Sequence, residues 1–193
     1  MSTIVVSHGL EANGDSVWFP YLRAELEAKG HKVIVPNLPE PGAPKPAAWL
    51  DTFDQAVAKA GPAEDIVLVG HSIGGVNVLR MLEQHDTAER GRFAGAVLVS
   101  TASHEVGYEA LAGFFATPFD WDRIRAAATE FRVLAAADDP VNVPDPVEHV
   151  GELVRGLGAT AVLTATGGHL GAFADDHIDL PEAVRLVLDC LSR

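Results

Sequence analysis

Read only for hydrophobic and polar positions, the chain alternates between two patterns. Short runs rich in β-branched residues are each followed by a stretch in which apolar side chains recur at helical spacing. The short runs fall at Thr3–Ser7, Lys32–Pro36, Asp65–Val69, Ala94–Ser100, Phe131–Ala137 and Thr160–Ala165. Most are apolar throughout rather than alternating, as in strands covered on both faces. Helices are predicted near 17–29, 47–60, 73–85, 106–115, 121–128, 146–156 and 181–191. In the first, Trp18, Leu22 and Leu26 share a face and Gly30 supplies a stop signal. The last opens on Pro181, where a missing N–H costs little.

Strand then helix, repeated along the chain, predicts an α/β fold. Such a fold has three layers, α/β/α, around an essentially parallel sheet with right-handed crossovers. No repeat or low-complexity tract divides the sequence, and the proline-rich NLPEPGAPKP at 37–46 reads as a surface loop. Residues 1–193 are therefore read as a single domain. Sheets of this kind carry their sites at the C-terminal ends of the strands, which says where chemistry should be sought.

Composition narrows the partners. With 48% apolar and 21% charged residues the chain has the profile of a soluble globular protein. A formal net charge of −13 would repel nucleic acid and anionic membrane surfaces, so neither is expected as a partner. No apolar run approaches the length of a membrane span. The opening MSTIVVSHG lacks the basic region and cleavage pattern of a signal peptide, and a cytoplasmic location is expected. Cys190 is the sole cysteine, and no Cys/His cluster has zinc spacing, so no metal site is predicted.

The candidate chemistry begins where DIVLVGHSIGGVNVLRMLE turns from strand to helix with almost nothing between. Gly70-His71-Ser72-Ile73-Gly74 fits the G-x-S-x-G nucleophile elbow, and the strand before it and helix after it are the required context. Glycine at 70 and 74 removes side chains that would clash at so tight a corner, leaving the Ser72 hydroxyl above the sheet. The spacing matches neither G-x-G-x-x-G nor a P-loop, which argues against nucleotide binding.

A serine hydroxyl needs a base, and the base needs an acid; in elbow enzymes they follow in the order serine, acid, histidine. Of eight histidines, only His169 directly follows the last predicted strand, in the glycine-rich TATGGHLGAF. His177 is a weaker rival, and Asp175 and Asp176 come too late in the chain to be the acid. The preceding strand ends in RVLAAADDPVNVP, which offers Asp138 and Asp139. A second donor for a developing oxyanion is expected from the first strand's end. There a His8-Gly9 corner would aim the N–H of Leu10 at the same point as that of Ile73. His8 and His71 flank this site as structural or pocket-lining residues, while His31, His85, His104 and His149 read as solvated surface.

The arrangement SHG…GHSIGG…DDPV…GGHL resembles the α/β-hydrolase superfamily. More narrowly, the chain is similar to the small serine hydrolases related to retinoblastoma-binding protein nine. That likeness rests on DSVWFPYLRAELEAKGHKVIVPNLPEP, on Trp49 in PAAWL, on LVSTAS, and on FFATPFDWDRIRAAATEF before ADDPVNVP. It implies a six-stranded sheet in the order 2-1-3-4-5-6 without a large lid. It assigns the acid to the second aspartate of D-D-P, which is Asp139, beside Ser72 and His169. It further implies carboxylesterase-like hydrolysis of small ester, amide or thioester substrates without a cofactor. An L-x-C-x-E element has no counterpart here, so no retinoblastoma-type partner is expected.

The expected partner is a small-molecule acyl substrate. Its pocket is expected to draw on His8, Trp18, Phe115, Phe119 and Trp121, which are close to segments that should overhang the site. Two other readings share the fold: a binding or scaffold protein with little turnover, and a lyase or C–C hydrolase using the same three residues.

Overall fold

The computed structural model describes residues 1–171 and 179–192. Its strands are β1 (Thr3–Ser7), β2 (Lys32–Ile34), β3 (Ile66–His71), β4 (Phe93–Val99), β5 (Ala128–Ala136) and β6 (Thr160–Thr164). Its helices are α1 (Phe19–Glu27), α2 (Pro46–Ala58), α3 (Ile73–Gln84), α4 (Thr87–Arg90), α5 (Trp121–Ala127), α6 (Pro146–Leu157) and α7 (Pro181–Leu191). All strand pairs are parallel, and the described residues form one sheet ordered β2-β1-β3-β4-β5-β6. This is the sheet of the α/β-hydrolase fold.

The central strands are largely apolar because most of their side chains enter one of two cores, Thr129, Glu130 and Arg132 at the start of β5 being among the polar exceptions. Val5, Leu68, Ala96, Leu98, Val133 and Ala135 meet α2, α3, α5 and α6 on one face. Their neighbours Ile4, Val6, Val67, Val69, Val97, Val99, Leu134 and Ala136 meet α1 and α7 on the other. Cys190 of α7 packs into the second core, where a Cβ on Gly95 of β4 would come within 2.7 Å of its sulfur. The outermost β6 is largely half-buried or exposed, as befits an edge.

Helix ends follow local chemistry. Asp145 caps α6 by accepting the Val147 N–H at 2.9 Å, Pro146 opens it, and Gly158 closes it at φ 66°. The helix predicted at 106–115 is instead a 3₁₀ stretch, Glu109–Phe115, which buries only Leu111 and Phe114. β5 begins three residues before the predicted start, because α5 runs straight into it at Ala128.

Candidate active site

β3 ends at His71 and α3 begins at Ile73, so Ser72 alone makes the corner. Its backbone stands at φ 56° and ψ −130°, a strained conformation for a residue with a side chain. The glycines around it are demanded by contact. A Cβ on Gly70 would collide with the backbone of Gly74 and Gly75, and one on Gly74 with the carbonyl oxygens of Ser7 and His8. One on Gly75 would run into the Thr101 side chain. Ser72 is locked from below by its N–H, which donates to the Val99 carbonyl at 2.9 Å.

Above the sheet, the Ser72 hydroxyl lies 2.8 Å from His169 Nε2. The opposite ring nitrogen, Nδ1, donates to the Asp139 carboxylate, at 2.8 Å from Oδ2 and 2.9 Å from Oδ1. Asp139 is buried just past β5 and held by three further donors: the Val141 N–H at 2.9 Å, the Asn142 N–H at 3.4 Å and the Asn142 side-chain amide at 3.1 Å. Asp138 faces elsewhere and accepts the Gly168 N–H at 2.9 Å. Serine, histidine and Asp139 thus form one hydrogen-bonded chain. The serine proton can leave to a nitrogen whose opposite side is already anchored on a carboxylate. His177, Asp175 and Asp176 lie outside the described residues.

The β1 exit comes close beside this chain. A Cβ on Gly9 would stand 3.2 Å from Ser72 Cβ, and Leu10 lines the cavity over the serine. Among the described residues no hydrogen bond occupies the N–H of Leu10 or of Ile73.

That cavity has a volume of about 420 Å³ and is walled by Leu10, Val17, Tyr108, Leu111 and Val141, with Ser72 and His169 at its base. The wall differs from the one the sequence suggested. Phe115, Phe119 and Trp121 line a separate cavity of about 660 Å³ with Ser103, Glu152 and Arg155. Trp18 is fully buried, its indole N–H spent on the Leu170 carbonyl at 2.9 Å. His8 is equally buried: its Nδ1–H donates to the Gly9 carbonyl at 2.9 Å, and its Nε2 accepts the Leu38 N–H at 3.0 Å. Sequence reasoning missed Tyr108, Leu111, Val141 and Asn142. Of these only Val141 and Asn142 had a signal, their adjacency to the D-D-P turn.

Two histidines read as solvated are buried, His85 and His149. His149 belongs to a second cluster of serine, histidine and carboxylate, which makes an instructive contrast. There the Ser103 hydroxyl donates to Glu152 at 2.6 Å. The His149 ring is used up at both ends, by the Ser103 N–H at 3.0 Å and the Val143 carbonyl at 3.0 Å. With no lone pair left for the hydroxyl, that cluster ties the β4 exit to α6 rather than activating Ser103. Among the described residues no group of three or more His, Cys, Asp or Glu could hold a metal ion. Nor is any described helix long and apolar enough to cross a membrane.

An α/β-hydrolase sheet with a serine at its elbow defines the class, and sequence comparison defines the family. Residues 4–189 match the family model described as serine hydrolase, and the chain belongs to that family. It is 29% identical to YdeN of Bacillus subtilis (strain 168) over 86% of this chain and 84% of that protein. It is 25% identical to the serine hydrolase RBBP9 of Rattus norvegicus, over 64% of this chain and 63% of the relative. The crystal structure of the B. subtilis ydeN gene product superposes over 100% of both chains with a TM-score of 0.91 at 27% identity. Polyneuridine aldehyde esterase shares the fold over 100% of both chains, with a TM-score of 0.67 at 18% identity.

Proposed function

We propose that this serine hydrolase is a carboxylesterase-type enzyme that cleaves small acyl substrates through Ser72, His169 and Asp139. The observation that carries the reading is the 2.8 Å approach of Ser72 Oγ to His169 Nε2 while Nδ1 is closed on Asp139. His169 takes the serine proton as Oγ attacks the carbonyl carbon. Asp139 holds the ring in the Nδ1–H tautomer and stabilises the imidazolium that forms. The N–H groups of Leu10 and Ile73 donate to the carbonyl oxygen as it gains negative charge. The imidazolium then returns its proton to the leaving alcohol, thiol or amine, and an acyl group remains on Ser72. Water, deprotonated by His169, attacks that acyl group, and as the acid leaves the imidazolium returns the proton to Ser72 Oγ.

A cavity of about 420 Å³ with mainly apolar walls supports a short or compact acyl group. Glu11, at its rim, is the one lining residue with a fixed charge, which favours neutral over carboxylate-bearing substrates. We read the working partner as a small acyl molecule, rather than nucleic acid or membrane, and the setting as cytoplasmic. A fluorophosphonate probe followed by peptide mass spectrometry tests the reading. The adduct is expected on Ser72 and is expected to vanish, with esterase turnover, in Ser72→Ala. An unlabelled Ser72, or full turnover in Ser72→Ala, overturns it.

A further inference from the structure

The loop that presents His169 follows an unusual path. Gly167, Gly168, Leu170 and Gly171 stand at φ 148°, 55°, 49° and 108°, and no strand ladder runs along it. In place of a ladder, three consecutive residues are each gripped by a side chain from a different element. Asp138, after β5, accepts the Gly168 N–H at 2.9 Å. His71, at the end of β3, has Nε2 3.0 Å from the His169 carbonyl oxygen. Trp18, at the start of α1, donates its indole N–H to the Leu170 carbonyl at 2.9 Å. A carbonyl oxygen only accepts, so His71 Nε2 carries the hydrogen and donates.

We propose that His71 and Trp18 are positioning residues for His169: gripping the carbonyls of residues 169 and 170, they set the imidazole over Ser72. The proposal rests on the reading of His169 as the base. The two ends of the catalytic chain are fixed by rigid elements, Ser72 by the elbow and Asp139 by its three donors from Val141 and Asn142. Only the loop bearing the ring could drift. A displacement of about 1 Å in such a geometry can cost on the order of 100-fold in rate.

Three features argue that the grip serves more than packing. Among the described residues His71 Nδ1 is buried with no partner, a cost that an apolar filler of similar size would avoid. The ring also stays neutral, since burial first, and the neighbouring His169 next, push His71 down to about 3. An imidazolium forming on His169, whose ring lies 5.4 Å away, therefore meets no second cation. The two grips brace each other, with the rings of Trp18 and His71 edge-on at 5.8 Å and Phe19 edge-on to His71 at 6.3 Å.

Three variants test this. His71→Leu deletes the donor, His71→Gln keeps an N–H at similar reach, and Trp18→Phe deletes the donor to Leu170 while keeping an aromatic ring in the core. Readouts are kcat, KM, the thermal midpoint and the far-downfield NMR resonance of the His169 Nδ1 proton. His71→Leu is expected to lose about 10- to 100-fold in kcat with KM nearly unchanged, and to shift or broaden that resonance. His71→Gln is expected to recover most of both. Trp18→Phe should show the same signature in a smaller degree, about 3- to 10-fold, and decides the matter if His71→Leu does not fold. An unchanged kcat and resonance in a folded His71→Leu or in Trp18→Phe overturns the proposal. So do equal losses in His71→Leu and His71→Gln. Wild-type turnover that survives His169→Ala overturns the reading of His169 as base, and the proposal with it.

Discussion

At the scale of the residue, two neighbouring aspartates have separate jobs. Asp139 holds the imidazole, whereas Asp138 holds the loop that carries it. Asp139→Asn places an amide against Nδ1 and favours the wrong tautomer, which is expected to lower kcat on the order of 1,000- to 10,000-fold. Asp138→Asn keeps an oxygen for the Gly168 N–H and is expected to cost less than about tenfold, since a neutral acceptor replaces a charged one. Steady-state kinetics of the two variants check this, and comparable losses would refute the division of labour. The sequence made Ser72 and His169 legible because both sit where local backbone sterics leave little choice, at a glycine-cornered turn and in a glycine-rich loop. Telling Asp138 from Asp139 needed a family resemblance, because both follow the same strand and spacing cannot say which carboxylate turns inward. The pocket wall was not legible at all. Leu111 reaches the cavity from a 3₁₀ stretch, and Tyr108 from the residue just before it, along a path that no periodicity describes.

At the scale of the element, the same sterics make a sharp contrast between glycines. Gly74 opens α3 under the β1 exit, and a Cβ there would collide with two backbone carbonyl oxygens that no rotamer change can move. Gly74→Ala is expected to destabilise by about 3 kcal/mol or more, an overpacking cost at the upper end. That corresponds to a fall in Tm of roughly 6–12 °C for a chain of this size. Gly42 lies in the proline-rich loop, where an added Cβ would only touch the Glu11 side chain at 4.0 Å. Gly42→Ala is expected to be neutral or to stabilise by up to about 1 kcal/mol. Thermal melts of the pair test the contrast, and an undisturbed Gly74→Ala would contradict it. Strands were the most legible elements, since double-faced burial writes apolar runs directly into β1, β3, β4 and the second half of β5, whose polar first half, with Thr129 and Glu130, escaped the reading. α4 was invisible: its four residues bury nothing, and only the Asp86 cap, at 2.9 Å from the Ala88 N–H, marks it.

At the scale of the whole molecule, the buried histidines share one electrostatic consequence. Burial is the leading cause that lowers His8, His71, His85 and His149 below the ordinary histidine value of 6.5. In His8 and His149 the reason for neutrality is also local, because one ring nitrogen of each accepts a backbone N–H and a proton there would break that bond. In the unfolded chain each of them takes up a proton near pH 6.5. The unfolded state therefore binds more protons below that pH, and stability falls as pH is lowered. For His71, whose folded value is about 3, the loss runs from about 6.5 down to about 3 at a slope near 1.4 kcal/mol per pH unit. Glu152 works in the same direction at lower pH: the Ser103 hydroxyl and His104 hold it below 4.5, so its contribution is lost as acid protonates it. Urea unfolding midpoints measured from pH 7.5 to pH 5 should accordingly decline. His71→Gln, which keeps an N–H but cannot titrate, should remove about half a proton from the slope at pH 6.5 and close to one proton as pH nears 5. A flat profile over that range, or a slope unaltered by His71→Gln, would show that His71 does not stay neutral within the fold.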